Sequence, residues 1–367
     1  MKFITSQAEL FKKLATTSRA VTNKSSHPIL KGILITTLDD NTIELKASDM
    51  EISIETRLGA NVAETGSIVV LAKKFIEYVR YLPQGNISFS MDDNNQITLV
   101  GGKTEYTLQG IDPEEFPQAF ADIEGETIDI DRETLSMMIS KSCFAASTDE
   151  SRGIITGTLI EIKNNSINMV ALDGFRMAII KEPIVTDIEK QVVIHADILK
   201  DLGRILASEE EDNTRLTFSK KHAFVEIGDT KIYARMMNGD FIKYKDLLPK
   251  DNKIKMTVSV EDLQLSLERA NPIVSEGKSI FLRFHISDDL LTISSRASEG
   301  KITEEVPVIK DGDDLEIGFN HKFLYTIVKE ITADAIVMEF SAPISPCLVK
   351  PIEGDAFEYL VLPVRLN

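Results

Sequence analysis

Three stretches of this chain, about 125 residues apart, open in the same way: a short strand, an amphipathic helix, then alternating strands. The openings are Met1-Lys2-Phe3-Ile4 into Ala8–Ala20, Ile128-Asp129-Ile130 into Thr134–Ala146, and Thr257-Val258-Ser259-Val260 into Leu263–Ala270. A repeat of this size constrains the fold more than any single motif, because each copy is one structural unit. Each copy divides again. Second openings run Ile68–Leu71 into Lys73–Leu82, Val192–Ile194 into Asp197–Leu206, and Leu315–Phe319 into Lys322–Ile331. Phe75, Ile198 and Phe323 align in these three helices. They head the apolar stripes Phe75, Val79, Leu82; Ile198, Leu202, Ile205; and Phe323, Ile327, Ile331. The first-half helices carry Leu10 and Leu14, Leu135 and Ile139, and Leu263 and Leu267. Such stripes belong to helices packed on one face.

Between the helices the period is two. Ile33, Ile35 and Thr37 alternate with Leu34 and Thr36, Ile52 and Ile54 with Ser53 and Glu55, and Ile87 and Phe89 with Ser88 and Ser90. This predicts strands with one buried face. Asp39-Asp40-Asn41, Asp92-Asp93-Asn94-Asn95, Lys163-Asn164-Asn165 and Ser287-Asp288-Asp289 read as tight turns. Pro-containing acidic segments at 111–117 and 240–249 place boundaries near residues 120 and 250. The expected class is α+β, with three similar domains (1–120, 121–249, 250–367), each of two β-α-β-β-β halves.

A repeated scaffold without a repeated catalytic set suggests a shape rather than a reaction. There is no Gly-x-x-x-x-Gly-Lys loop, no Gly-x-Gly-x-x-Gly turn and no Gly-x-Ser-x-Gly elbow. His27, His195, His222, His285 and His321 are scattered, so no zinc site is legible and neither metal nor cofactor is expected. Cys143 and Cys347 support no disulfide framework, which favours a reducing cytoplasm. No apolar run approaches a membrane span, and the first residues do not read as a signal peptide.

The net charge of −17 argues against holding nucleic acid by bulk charge. The charge is uneven, however. Residues 7–24, 72–80 and 320–330 sum to +3, +2 and +1. Residues 132–152 and 195–206 sum to zero and 260–278 to −2, so the six helical segments together carry +4 on an acidic body and could line one surface that meets a polyanion. Twelve helices from a head-to-tail dimer, spaced roughly 9–10 Å, would ring an opening of about 26 Å once a helix diameter of roughly 10 Å is removed. A duplex passes through such a hole, with strands forming the outer wall. Retention is then topological and needs few phosphate contacts.

Four segments carry a family resemblance: His27-Pro28-Ile29-Leu30, Ala171-Leu172-Asp173-Gly174-Phe175-Arg176-Met177-Ala178, Ile317-Gly318-Phe319-Asn320, and Leu362-Pro363-Val364-Arg365-Leu366. In this order on a threefold repeat, the chain resembles the bacterial DNA polymerase III beta subunits, the DNA sliding clamps. The resemblance covers essentially the whole length. It implies a homodimeric ring, sheets outside and helices inside, that encircles double-stranded DNA and tethers the replicative polymerase. It also implies a clamp loader and other clamp-binding proteins as partners, no catalytic activity, and a cytoplasmic, nucleoid-associated location.

The resemblance further implies a partner-peptide pocket. Its positions fall at Ile155, Leu172, Gly174, Phe175, Arg176 and Met177; at Ile242 and Leu247; at Asn320, Phe323, Ile344 and Pro346; and at Leu360, Leu362, Pro363, Val364, Arg365 and Leu366. Aliphatic side chains with a few polar groups suit a short peptide with Leu and Phe anchors. Phe175 stands where His is frequent, Ile242 where Pro is and Asp246 where Arg is, so the pocket should be greasier and less basic. DNA contacts carry over to Lys24, Lys73 and Arg152, and the helix argument adds Lys12, Lys13, Arg80, Lys200 and Arg204. Gly153 and Ile154 replace the aromatic or polar contacts of some relatives. For dimer closure, the strand Lys103–Leu108, with Tyr106, is expected against Ile273, Val274, Glu299, Glu304 and Glu305 of a second copy. Two other readings compete: an interaction scaffold with no DNA role, and a hydrolase or transferase without a recognisable motif.

Overall fold

The computed structural model describes residues 1–22, 25–117, 124–276, 281–298 and 300–366. Six helices occur among them: α1 (Gln7–Thr17), α2 (Ala72–Tyr81), α3 (Arg132–Cys143), α4 (Ala196–Ser208), α5 (Val260–Glu276) and α6 (His321–Lys329). Each is entered directly from a strand and followed by three more, the β-α-β-β-β half six times over. Two short strands, Asn61–Glu64 and Pro363–Val364, are additional. The helix starts have local causes. Ser6 Oγ accepts from Glu9 N, Ser259 Oγ from Asp262 N at 3.2 Å, and Asn320 Oδ1 from Lys322 N at 3.0 Å. Each satisfies a donor that the first turn leaves open.

The fourth residue of every helix is apolar and buried: Leu10, Phe75, Leu135, Leu199, Leu263 and Leu324. This corrects the predicted alignment in α4 and α6. Leu199 and Leu324, rather than Ile198 and Phe323, take the place of Phe75, and Ile198 and Phe323 are only half-buried. Both helices carry two adjacent apolar residues there, so the period alone leaves the register open by one. The strand-to-helix junction decides it.

The chain forms two compact units, Met1–Glu133 with Arg204–Met236, and Thr134–Gly203 with Met237–Asn367. The first contains a five-stranded and an eight-stranded sheet, the second a thirteen-stranded sheet. Pairing follows one rule in all three repeats. The strand that opens a first half pairs antiparallel with the second strand of the second half: Lys2–Ser6 with Asn86–Met91, Glu126–Asp131 with Asn213–Phe218, and Ile254–Ser259 with Ala335–Phe340. The strand that opens a second half returns the exchange on Gly32–Thr37, Gly157–Lys163 and Phe281–Ser287. Each repeat is therefore two interleaved halves.

A second rule joins repeats. The strand closing one repeat's first half pairs with the strand closing the next repeat's second half. Ile52–Gly59 pairs with Thr230–Arg235 inside the first unit, and Arg176–Pro183 with Phe357–Val361 inside the second. The first join changes an expectation. Ser53 and Glu55, predicted on a solvent face, are buried, because their strand is flanked on both sides in the middle of the eight-stranded sheet. Ser53 Oγ meets Ser48 Oγ at 2.7 Å, and Lys46 Nζ reaches Glu55 at 3.2 Å and Glu44 at 2.7 Å. The predicted turns are present. Asn95, Asn164, Asn165 and Asp288 adopt positive φ at their hairpin tips, a conformation Asn and Asp tolerate.

Candidate functional site

The hairpin between strands Ser166–Leu172 and Arg176–Pro183 is the centre of the candidate site. Asp173 shapes it. Its Oδ1 accepts from the backbone N of Phe175 at 2.9 Å and of Arg176 at 3.0 Å, an Asx turn. Gly174 sits at φ +88°, where a side chain would be strained, and its missing Cβ faces the Arg152 guanidinium. The turn expels Phe175, whose ring is 53% exposed and stacks on Phe323 of α6 at 5.5 Å and 15°. Phe323 is free for this stack because Leu324 takes the buried position.

Arg176 is used from within. Its Nε donates to Asp173 Oδ2 at 3.0 Å, its Nη2 to Phe144 O at 2.9 Å and its Nη1 to Thr326 Oγ1. Its guanidinium also lies over the rings of Phe144 and Phe323. Expected as a pocket contact, it is largely buried and ties the hairpin to α6. Removing one partner of such a pair leaves the other charge uncompensated. Arg176→Ala is thus expected to cost about 3 kcal/mol of stability, read as a lower urea midpoint, with Arg176→Lys recovering little because Lys lacks the planar fork.

The floor beneath the hairpin is a buried cluster of Ile155, Leu172, Met177 and Leu360 with Leu159, Val170, Val193, Tyr244 and Leu348. Pairing of Met177 with Leu360 puts two of the predicted residues side by side. Leu362 packs on this cluster, and its N donates to Phe175 O at 2.8 Å. Pro363 and Val364 then pair with Phe319 and Gly318. A side chain at Gly318 would crowd the paired strand, since an added Cβ would lie 2.9 Å from Val364 O. Arg365 is exposed. Ile242 and Leu247 project outward on either side of the buried Tyr244, and Ile344 and Pro346 lie in the loop before strand Cys347–Pro351. Of the predicted pocket residues, Ile155, Leu172, Met177, Leu360 and Leu362 thus share one apolar floor, and Phe175 and Phe323 stack on each other. Asn320 is an exception in role, since its side chain caps α6. Phe144 and Thr326 escaped the sequence reading, and Asp173 entered it only as part of the segment 171–178 that carries the family resemblance.

The polar end of this region is a buried carboxylate. Glu161 accepts from Tyr244 Oη at 2.7 Å, Lys245 Nζ at 3.0 Å, Asn168 Nδ2 at 3.2 Å and Gln191 Nε2 at 2.7 Å. Burial pushes its pKa up, but these donors outweigh burial and hold it below the ordinary carboxylate value. Burial and the adjacent carboxylate push the Tyr244 phenol well up.

The predicted cations are unequal. Lys73, Arg80 and Arg204 are exposed, with Arg80 lying over the Tyr81 ring. Lys12 and Lys200 are half-buried beside Glu210 (3.7 Å) and Asp197 (3.0 Å). Lys13 is a correction. It is buried, with its ammonium 3.5 Å from both Glu209 Oε1 and Thr230 Oγ1, so it serves the first join rather than a surface. Arg152 donates to Asp173 O, which attaches it to the hairpin of the candidate site. Lys24 lies outside the described residues.

Models of three domains match this chain in order. They are the DNA polymerase III beta subunit N-terminal domain over residues 1–120, the central domain over 129–243 and the C-terminal domain over 245–365. The beta sliding clamp of Staphylococcus aureus (strain Mu50) is 28% identical, over 100% of this chain and 99% of its own. Solved structures agree. The DNA polymerase sliding clamp of Bacillus subtilis superposes with a TM-score of 0.94 at 26% identity, and the DNA polymerase III beta subunit of Thermotoga maritima with 0.93 at 28%, each covering 100% of both chains. This chain belongs to the DNA polymerase III beta subunit family.

As a member of the beta sliding clamps, the chain has two half-closing strands left over by the joining rule, Thr104–Gln109 and Lys301–Asp311. Thr104–Gln109 ends the five-stranded sheet, and among the described residues nothing pairs with its outer side. Among the described residues, 301–307 pair only with Leu290–Arg296, and strand Ile254–Ser259 joins the other side from Val308 onward. Tyr106 and Leu108 are half-buried on this edge, with Tyr106 stacked on Tyr78 at 4.4 Å, and Lys103 lies in the preceding turn. Ile273 is half-buried and Glu305 exposed. Val274 is a correction, being 3% exposed within its own unit and so no surface contact. Glu304 is held in its own chain by Arg269 at 2.5 Å. Glu299 lies outside the described residues. Among the described residues no group of His, Cys, Asp or Glu could hold a metal, and no helix is long and apolar enough to cross a membrane.

Proposed function

We propose that this chain is a DNA sliding clamp of three domains, 1–120, 121–249 and 250–367, and that two copies close head to tail into a ring around duplex DNA. The ring confers processivity on the replicative polymerase, is opened by a clamp loader, and recruits other proteins through the apolar groove below Phe175. The joining rule carries this reading: both joins within the chain pair one first-half closing strand with one second-half closing strand, and one of each kind is left over. A second copy supplies the missing partner to each, which is what a closed C2 ring requires. Under this arrangement the helices face the hole, and Lys73, Arg80, Arg204, Lys200 and Lys12 are the described cations offered to the phosphates. Lys24 joins them by resemblance. The chain has no catalytic activity in this role and works in the cytoplasm at the nucleoid.

Retention on DNA tests the proposal. Loaded with a clamp loader, the protein is expected to remain on nicked circular DNA and to run off the same DNA once linearised. Equal loss from both substrates favours an interaction scaffold instead.

A further inference from the structure

Residues 241–248, which border the buried cluster and which we read as one wall of the apolar groove, belong to no strand and contain only a single short 3-10 helix, Tyr244–Leu247. Besides the bonds within that helix, its backbone hydrogen bonds among the described residues are local, Tyr244 N to Ile242 O and Asp246 N to Lys243 O. What fixes Ile242 and Leu247 in place has to come from side chains. Tyr244 lies between them, with its ring in the buried cluster that floors the groove and its hydroxyl on Glu161.

Glu161 is a fixed point. It sits in strand Gly157–Lys163, between cross-strand neighbours Asn168 and Gln191, and both donate to its carboxylate. With Tyr244 and Lys245 added, four donors meet about four acceptor sites, so the carboxylate has little freedom to turn. Charge-assisted hydrogen bonds of this kind are stronger and more directional than neutral ones. Phe241, Tyr244 and Leu248 pack on the buried cluster, and the polar ties from the segment to the sheet are one phenol and one ammonium, the ammonium on a flexible stem.

We propose that the Glu161–Tyr244 hydrogen bond sets the position of this wall, making both side chains positioning residues for a docked peptide that neither touches. The inference rests on reading the groove as a peptide site. Its chemistry follows: the bond holds Leu247 and Ile242 toward the aliphatic and aromatic anchors of the peptide, and loosening it adds ordering entropy to binding rather than removing a contact.

The test is peptide affinity, by fluorescence anisotropy with a short labelled peptide carrying Leu and Phe anchors, at a temperature where circular dichroism shows every variant folded. Tyr244→Phe keeps the ring and is expected to weaken binding about fivefold to twentyfold, a part of the roughly tenfold to hundredfold that a hydrogen bond to a charged group represents, because the bond acts on the peptide only through the wall. Glu161→Gln should act in the same direction. In a Leu247→Ala background Tyr244→Phe should cost clearly less than in the wild-type chain, because one of the two side chains it positions is gone. Unchanged affinity in Tyr244→Phe and Glu161→Gln overturns the proposal. So does full additivity with Leu247→Ala, the result expected if the bond only stabilises the fold. A wild-type protein that fails to bind the peptide at all defeats the groove reading itself, a separate outcome.

Discussion

Replacing Phe175 and Phe323 together by alanine is expected to weaken peptide docking at least about a hundredfold, with little change in thermal stability. Phe175 is half exposed, and its ring rests mainly on Phe323. Removing both therefore opens no cavity of the kind that makes core truncations costly. The apolar floor remains, since Met177, Leu172 and Leu360 hold each other in the sheet. What disappears is a rigid aromatic platform with few rotamers, the kind of group that dominates interface energies. Either single substitution should lose more than half of the total effect in logarithmic terms, because a lone ring loses its stacking partner. Isothermal titration with the same labelled peptide reads the loss. Affinity within about threefold of wild type would mean that the docking surface lies elsewhere.

Leu108→Asp is expected to produce a folded monomer that no longer stays on circular DNA. Leu108 lies on the open edge of the five-stranded sheet, half-buried beside Tyr106. In one copy the aspartate can reach water. In a closed ring its carboxylate would be buried against an apolar neighbour on the second copy, at a cost of several kcal/mol at each of two interfaces. The dimer dissociation constant should rise by about a thousandfold or more. Far-ultraviolet circular dichroism should be unchanged. A variant that stays dimeric and is retained normally would remove Thr104–Gln109 from the closure.

The six strand–helix openings and the hairpin turns were legible because each has a local cause: an apolar stripe, a cap, an Asp or Asn at positive φ. The pairing was not. Lys2–Ser6 lies against Asn86–Met91, and nothing near either strand encodes that exchange between halves. The same limit explains the particular errors. Lys13 looks like a surface lysine on a basic helix, yet Glu209 and Thr230, 196 and 217 residues away, enclose it. Glu55 looks like the solvent face of a strand, but a strand from another repeat covers it. Arg176 falls within the family's pocket pattern, while its partners Phe144 and Thr326 carry no sequence signal at all. The floor positions Leu172, Met177 and Leu360 were implied by the family resemblance, since they lie on three different strands and no local pattern links them. Phe323 was misplaced as a buried stripe residue and is better described by its stack on Phe175.

Sedimentation equilibrium of the wild-type protein at micromolar concentration is the most direct measurement of closure, since one chain carries only one of each unpaired strand. A mass of twice 40.9 kDa is predicted. A mass of 40.9 kDa at every concentration reached would contradict the ring.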